Sequence, residues 1–317
     1  MRICSLLPGA TEVVVALWNT KHLVGISHEC DYPPEVRTKP VLVRAVVDTN
    51  ALSSREIDRH VRATLKAGRP LYELDETLLA RVRPHLVITQ DLCHACAITP
   101  SQLAQALRAL PSPPRVLSLN PSTLDDVLAD IERIGEAIGR GQEAAALVEQ
   151  LRARLQAVLL QVAPAGKHPR VACIEWLDPM YAAGHWVPDM VACAGGVDVL
   201  GTAGAPSAPV TWARLRAAKP DVLMIMPCGF PIARTRREVA RLTKQPGWKT
   251  LPAVKTGRVF LVDGPAYFNR PGPRVIDGIE ILAACLHPSL VQSAASDAVQ
   301  PLSSRKRTVS AHAPALS

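Results

Sequence analysis

Between residues 122 and 162 apolar side chains recur at helical spacing: Leu124, Leu128, Ile131, Ile134 and Ile138, then Leu147, Leu151, Leu155, Val158 and Val162. One unbroken helix over that stretch would be ~60 Å long at 1.5 Å per residue, so a break is expected at the intervening Gly139-Arg140-Gly141. On either side the pattern is different. Short apolar runs at residues 3–7, 22–27, 70–74 and 86–89, and again at 170–175, 222–226 and 258–262, alternate with helical patterns, among them 188–194 and 278–286. Strands separated by helices at this rhythm imply parallel sheets with right-handed crossovers. The chain therefore reads as α/β, with one lobe at residues 1–121, a helical segment at 122–163 and a second lobe at 168–290. The Ser/Ala-rich stretch 293–317, with its basic "SRKR", is expected to be a disordered tail.

Helix starts are marked locally. Ser53 with Glu56, and Thr99-Pro100 with Gln102, have the form of capping boxes, Asp75 is a good N-cap, and Gly9 with Glu12 has the same spacing. A chain of 317 residues accommodates two such lobes, and 48% hydrophobic content against 20% charge suits a packed globular protein. The net charge of +8 reads as scattered Arg on helical segments, without a basic stripe interleaved with aromatics, so no nucleic-acid partner is expected. No window of about 20 apolar residues argues for membrane insertion. The opening "MRICSLLPGATEVV" reads as strand, turn and helix rather than an export signal. A cytoplasmic protein is expected, or a periplasmic one if the true start lies upstream. Eight Cys on apolar strands or at strand ends fit a reducing compartment.

Ligands of open parallel sheets sit beyond the carboxyl ends of the strands, and the unusual residues fall there. The first lobe offers Pro8 in "LLPGATE", then His28, Glu29, Cys30, Asp31 and Tyr32 in "SHECDYPP", and Asp91 and Cys93 in "TQDLCHACA". The second offers Glu175, Trp176, His185 and Trp186 in "IEWLDPMYAAGHWVP", Cys228 and Phe230 in "MPCGFP", and Tyr267, Phe268 and Arg270 in "DGPAYFNRPGPR". Aromatics on loops of two facing lobes suit a flat, large, partly apolar ligand. His28 and Cys30 with Cys93 and Cys96 have the composition of a tetrahedral zinc site, and iron is the other metal considered. The Cys93–Cys96 pair precedes its helix rather than starting it, which argues against a thioredoxin-like redox role. His28, His94 and His185 are the imidazoles considered as axial ligands of a bound metal chelate. No phosphate loop or nucleophile elbow is present.

Together "RICSLLPGATEVVVALW", "LVGISHECDYPPEV", "PHLVITQDLC", "CGFP" and "GRVFLVDGPAYFNRPGPR" resemble the vitamin B12-binding and iron-siderophore-binding family of ABC-transporter substrate-binding proteins. The resemblance spans residues 2–288, and the Pro-x-Ala-Thr-Glu opening and the "CDYPPE" loop are its most specific pieces. It implies the class III periplasmic-binding-protein fold: two Rossmann-like lobes joined by a long helix, here residues 142–162, with the ligand cleft between them. It also implies a non-enzymatic protein holding cobalamin, a related corrinoid or another metal chelate, without catalytic residues. With the family's strand order 2-1-3-4, the second and fourth strands would lie three spacings apart, ~14 Å, which separates the two halves of the metal set. The family's partner is an ABC-transporter membrane subunit that docks on one acidic residue per lobe. Glu73 and Glu76 serve the first lobe, whereas "VTWARLRAA" at 210–218 has two Arg and no acid. The alternatives are a Cys/His metal-site protein or enzyme on the same scaffold, and an exported iron-siderophore or haem-binding transporter component.

Overall fold

The computed structural model describes residues 1–90, 99–292 and 296–302. The first lobe begins β1 (Ile3–Ser5), α1 (Pro8–Leu17), β2 (Leu23–Ser27), β3 (Val41–Ala45) and α2 (Ser54–Lys66). It continues β4 (Tyr72–Leu74), α3 (Glu76–Val82), β5 (Leu86–Thr89), α4 (Pro100–Arg108) and β6 (Arg115–Ser118). Two helices follow, α5 (Leu124–Ile138) and α6 (Gly141–Val162). The second lobe starts β7 (Arg170–Leu177), β8 (Met180–Ala182), α7 (Val187–Cys193), β9 (Val197–Asp198), β10 (Ala208–Pro209), α8 (Trp212–Ala218) and β11 (Val222–Ile225). It ends α9 (Ile232–Glu238), α10 (Ala240–Thr243), α11 (Pro252–Lys255), β12 (Val259–Val262), α12 (Gly264–Tyr267), α13 (Val275–Leu286) and β13 (Val299–Pro301).

The first sheet has the order β4-β3-β2-β1-β5-β6, parallel except at edge strand β4. Its central strands are covered on both faces, so β1 and β5 read as unbroken buried runs rather than alternating ones. The second sheet runs β10-β8-β7-β11-β12-β13, with β9 also paired to β7. Only β9, β7, β11 and β12 are mutually parallel; β8, β10 and β13 pair antiparallel.

Three expectations change. Val41–Ala45 is a strand that the strand–helix rhythm hides, because only a 3₁₀ turn at Pro34–Thr38 separates it from β2. The apolar run near Tyr72 is the antiparallel edge strand, not a third parallel one. Consequently β2 and β5 both flank β1, two spacings or about 9.6 Å apart, rather than three. At the other end, Val299–Pro301 falls inside the expected tail yet pairs with β12 as an edge strand.

The helical segment breaks where glycine permits it: Gly139 caps α5 in the left-handed conformation at φ 73°. The chain then reverses into α6, whose 22 residues span about 33 Å. The two helices cross closely at Gly135, where a Cβ would stand 2.3 Å from the Ala144 methyl. One continuous apolar cluster runs from Ile3, Val14 and Leu23 through Ile131 and Val148 to Val171, Met224 and Ile279. The lobes thus share a core through α5 and α6 instead of meeting at a bare hinge, and any hinge motion would have to open packed apolar surface.

Candidate functional site

A cleft of about 690 Å³ lies between the lobes, inside the range of roughly 300–1,000 Å³ common for small-molecule sites. Its first-lobe side is built by Pro8 at the start of α1, Val46 and Asn50 after β3, Tyr72, and the α2 face carrying Ile57, Val61 and Leu65. The opposite side is Trp176 and Tyr181 of the β7–β8 hairpin with Phe230 after β11. Trp176 and Phe230 pack ring on ring at 5.2 Å, and Phe230 is only 2% exposed. α2 forms as a helix because Ser53 and Glu56 close a full capping box, and its four-residue apolar spacing turns one stripe towards the cleft.

Charged groups tie the two lobes together at the cleft rim. The Arg234 guanidinium lies 3.7 Å over Phe230 and donates to the Thr49 and Leu52 carbonyls at 2.7 and 2.8 Å. Arg55 Nε meets Asp178 at 2.8 Å, and Ser54 Oγ donates to Glu238 at 3.0 Å. On the other flank Arg270 pairs with Asp31, and Arg274 forks onto Glu12 at 2.6 and 2.9 Å. Glu12 is therefore a buried ion-pair partner, not a capping acid; Leu7 is the N-cap and Pro8 the first residue of α1. Gly9 lets the two lobes' backbones approach closely, since a Cβ there would stand 1.9 Å from the Pro271 carbonyl oxygen.

Of the sequence-chosen residues, Pro8, Glu29, Glu175, Trp176, Cys228, Phe230 and Arg270 line the cleft. Asp31 stands behind it as the Arg270 partner. The structure removes several others. Cys30 is 3% exposed and packs under α1 with its sulfur 3.0 Å from the Thr11 hydroxyl; burial pushes its pKa up to about 11. It is a core thiol, so the proposed metal set loses a member. Trp186 is buried and donates its indole N–H to the Phe268 carbonyl at 2.8 Å, while Phe268 is fully buried. Both fill the second lobe's core.

His185 sits at φ 51° in the loop that returns to Ala205, outside the cleft lining. Tyr32 and Tyr267 flank Arg274, at 4.0 and 5.6 Å from its guanidinium, and also stand outside the lining. His28 holds the Val43 carbonyl at 3.2 Å and approaches Glu29 at 3.3 Å, again off the cleft surface. Asp91, Cys93, His94 and Cys96 lie outside the described residues. Among the described residues no three His, Cys, Asp or Glu side chains form a metal-holding group.

Sequence reasoning missed the α2 face, Arg62, Arg234 and His60, all of which line the cleft. The spacing of Ile57, Val61 and Leu65 and the i,i+4 pair of Asp58 with Arg62 are readable signals; the partners of Arg234 are not, because it reaches residues 182 and 185 positions away. Arg62 donates from Nε to Asp58 at 2.8 Å and lies 3.3 Å from the Tyr181 hydroxyl. His60 is the histidine that lines the cleft among the described residues, and it is exposed. On the outer surface Glu73 and Glu76 are exposed on the first lobe, while α8 of the second carries Arg214 and Arg216 and no acid. No described helix is long and apolar enough to cross a membrane.

Residues 3–266 match the family described as periplasmic binding protein. An uncharacterized ABC transporter substrate-binding lipoprotein of Bacillus subtilis is 26% identical over 295 residues, 90% of this chain and 80% of the relative. The vitamin B12-binding protein of Vibrio cholerae is 23% identical over 284 residues, 88% of this chain and 86% of that one. Among solved structures, a periplasmic haem-binding protein of Pseudomonas aeruginosa aligns with a TM-score of 0.71 at 22% identity, covering 96% of this chain and 98% of that one.

Proposed function

The chain belongs to the periplasmic binding protein family, and from that premise we propose that it holds a corrinoid, cobalamin or a close relative, between its lobes. The observation that carries the ligand class is the state of the cleft arginines. A haem or a carboxylate siderophore presents anionic groups, which seek unengaged guanidinium forks. Here Arg62 is paired with Asp58, Arg234 is spent on two backbone carbonyls, and Arg270 is paired with Asp31. Breaking any of these would offset the new contact. A corrinoid instead presents amide side chains around an apolar ring, and the cleft meets them with the uncharged polar side chains of Asn50, Gln90 and Asn269 beside the Trp176–Phe230 wall. The vitamin B12-binding relative from Vibrio cholerae supports the same reading.

The protein works in this reading by binding and release, with no bond made or broken, and a membrane transporter subunit is the proposed recipient. A second reading, haem, is favoured by one feature: His60 offers an exposed imidazole at the cleft wall, the residue type that ligates haem iron. The haem-binding structure from Pseudomonas aeruginosa supports that alternative. Parallel titrations of the full chain with hydroxocobalamin and with haemin, followed by calorimetry and absorbance, decide between them. Saturation by hydroxocobalamin at least tenfold tighter than haemin is expected. Haemin binding more tightly transfers the assignment to the second reading, and no binding of either at concentrations on the order of 10 µM, roughly −7 kcal/mol, removes both.

A further inference from the structure

The positive charge of this chain is not scattered, as the sequence reading held, but concentrated in one layer. Residues 211–258 hold eleven of the 36 Lys and Arg and only two of the 28 Asp and Glu, which leaves the rest of the chain close to neutral. That segment builds α8, α9, α10, the 3₁₀ turn Trp248–Thr250 and α11 around β11. These helices pack onto the same face of the second sheet through Leu215, Ile232, Val239, Leu242, Trp248 and Ala253. Their polar sides therefore form a single outer layer, on the face of the sheet opposite the core shared with the first lobe.

Part of this charge is committed. Arg214, Arg234 and Arg258 hold backbone carbonyls, Arg236 holds the edge strand at Gln300, and Arg241 pairs with Asp178 and Glu238. The rest is not: Arg216, Lys219, Arg237, Lys244, Lys249 and Lys255 are exposed, and none forms an ion pair with a described residue. The layer also lacks large exposed apolar side chains; every such residue in the described structure lies outside 211–258.

A specific protein interface has a desolvated apolar or aromatic centre, which this layer does not offer. Nucleic-acid readers of single strands interleave aromatics with the charge, and here the two nearby indoles, Trp212 and Trp248, stack on each other instead. An anionic bilayer surface needs neither feature, because each Lys or Arg near it contributes additively through the surface potential. We propose that the α8–α11 layer is a membrane-apposition face that adsorbs the second lobe onto anionic lipid headgroups. It leaves the cleft free, since none of the six uncommitted side chains lines it.

The test is co-sedimentation of the full chain with vesicles of phosphatidylcholine alone and with about 30% phosphatidylglycerol. Binding to the anionic vesicles, weakened as salt shortens the Debye length, and little to the neutral ones, is expected. The variant Lys219→Gln/Arg237→Gln/Lys244→Gln/Lys249→Gln, with folding checked by circular dichroism, should lose on the order of 1,000-fold in partition coefficient. Neutralising Arg305, Lys306 and Arg307 to Gln should leave binding within about threefold, because the layer alone is invoked. Equal binding by the four-site variant, loss of binding in the second variant alone, or adsorption to duplex DNA but not to vesicles would each overturn the proposal.

Discussion

Replacing Glu12 by Gln isolates the ion pair that joins α1 to the second lobe. In the folded protein both carboxylate oxygens are taken by the Arg274 fork, at 2.6 and 2.9 Å, with side-chain exposures of 5% and 15%. Burial raises the Glu12 carboxyl's pKa more than Arg274 lowers it, so the pair as a whole is not a strong net stabiliser. Its removal by halves is a different matter. Glu12→Gln leaves a guanidinium with little water and no counter-charge, and stranding one buried ion costs about 3–5 kcal/mol. The Tyr32 ring, 4.0 Å from that guanidinium, keeps part of the cation's stabilisation, which places the expected cost near the lower end. At roughly 2 °C per kcal/mol for a chain of this size, the melting temperature should fall by about 6 °C. The double variant Glu12→Leu/Arg274→Met removes both charges and should recover to within about 1 kcal/mol of the original stability. Urea denaturation of the parent, Glu12→Leu, Arg274→Met and the double variant closes the cycle and gives the coupling directly. A Glu12→Gln protein within about 0.5 kcal/mol of the parent, or a double variant no better than the single ones, would refute the reasoning.

Three further outcomes follow from single residues. Gly9→Ala should cost more than about 3 kcal/mol, because its Cβ would stand 1.9 Å from the Pro271 carbonyl oxygen and neither backbone can yield cheaply; an unchanged melting curve would contradict the tight interlobe approach. In native alkylation at about pH 8, exposed Cys228 should react while Cys30, buried with a pKa of about 11, is spared, and mass spectrometry showing the reverse order would place Cys30 outside the core. Asp130 is buried with Oδ2 unpartnered, and burial raises its pKa from 3.8 against the pull of Arg133. A raised folded pKa means its contribution is full below the unfolded value and is lost as pH rises through the folded one. Melting temperatures of Asp130→Asn and the parent should therefore converge or cross in favour of the variant as pH climbs from about 4 to 7, and parallel curves would exclude that linkage.

Much of the scaffold was legible because its signals are local. Capping boxes at Ser53–Glu56 and Thr99–Gln102 form as the spacing implies, and the helical segment breaks at the glycine pair. Val41–Ala45 was hidden because nothing helical announces it, and the order of strands around β1 is a long-range fact. The candidate site divides the same way. Strand ends point to the cleft, but whether a loop aromatic turns outward or inward depends on the neighbouring lobe: Trp176 lines the cleft, whereas Trp186 drops into the core to reach a carbonyl 82 residues away. The cysteine in "SHECDYPP" follows the same logic, since α1 lies over it. The charge of residues 211–258 was countable in the sequence, but only the shared sheet face makes it one surface.

The claim that a corrinoid sits between the lobes is tested most directly by the calorimetric affinity of Trp176→Ala for hydroxocobalamin. Trp176 supplies an indole to the cleft wall and packs against Phe230. Its truncation should weaken binding at least tenfold, or about 1.4 kcal/mol, with circular dichroism unchanged. Affinity equal to that of the parent protein would place the ligand elsewhere and contradict the account.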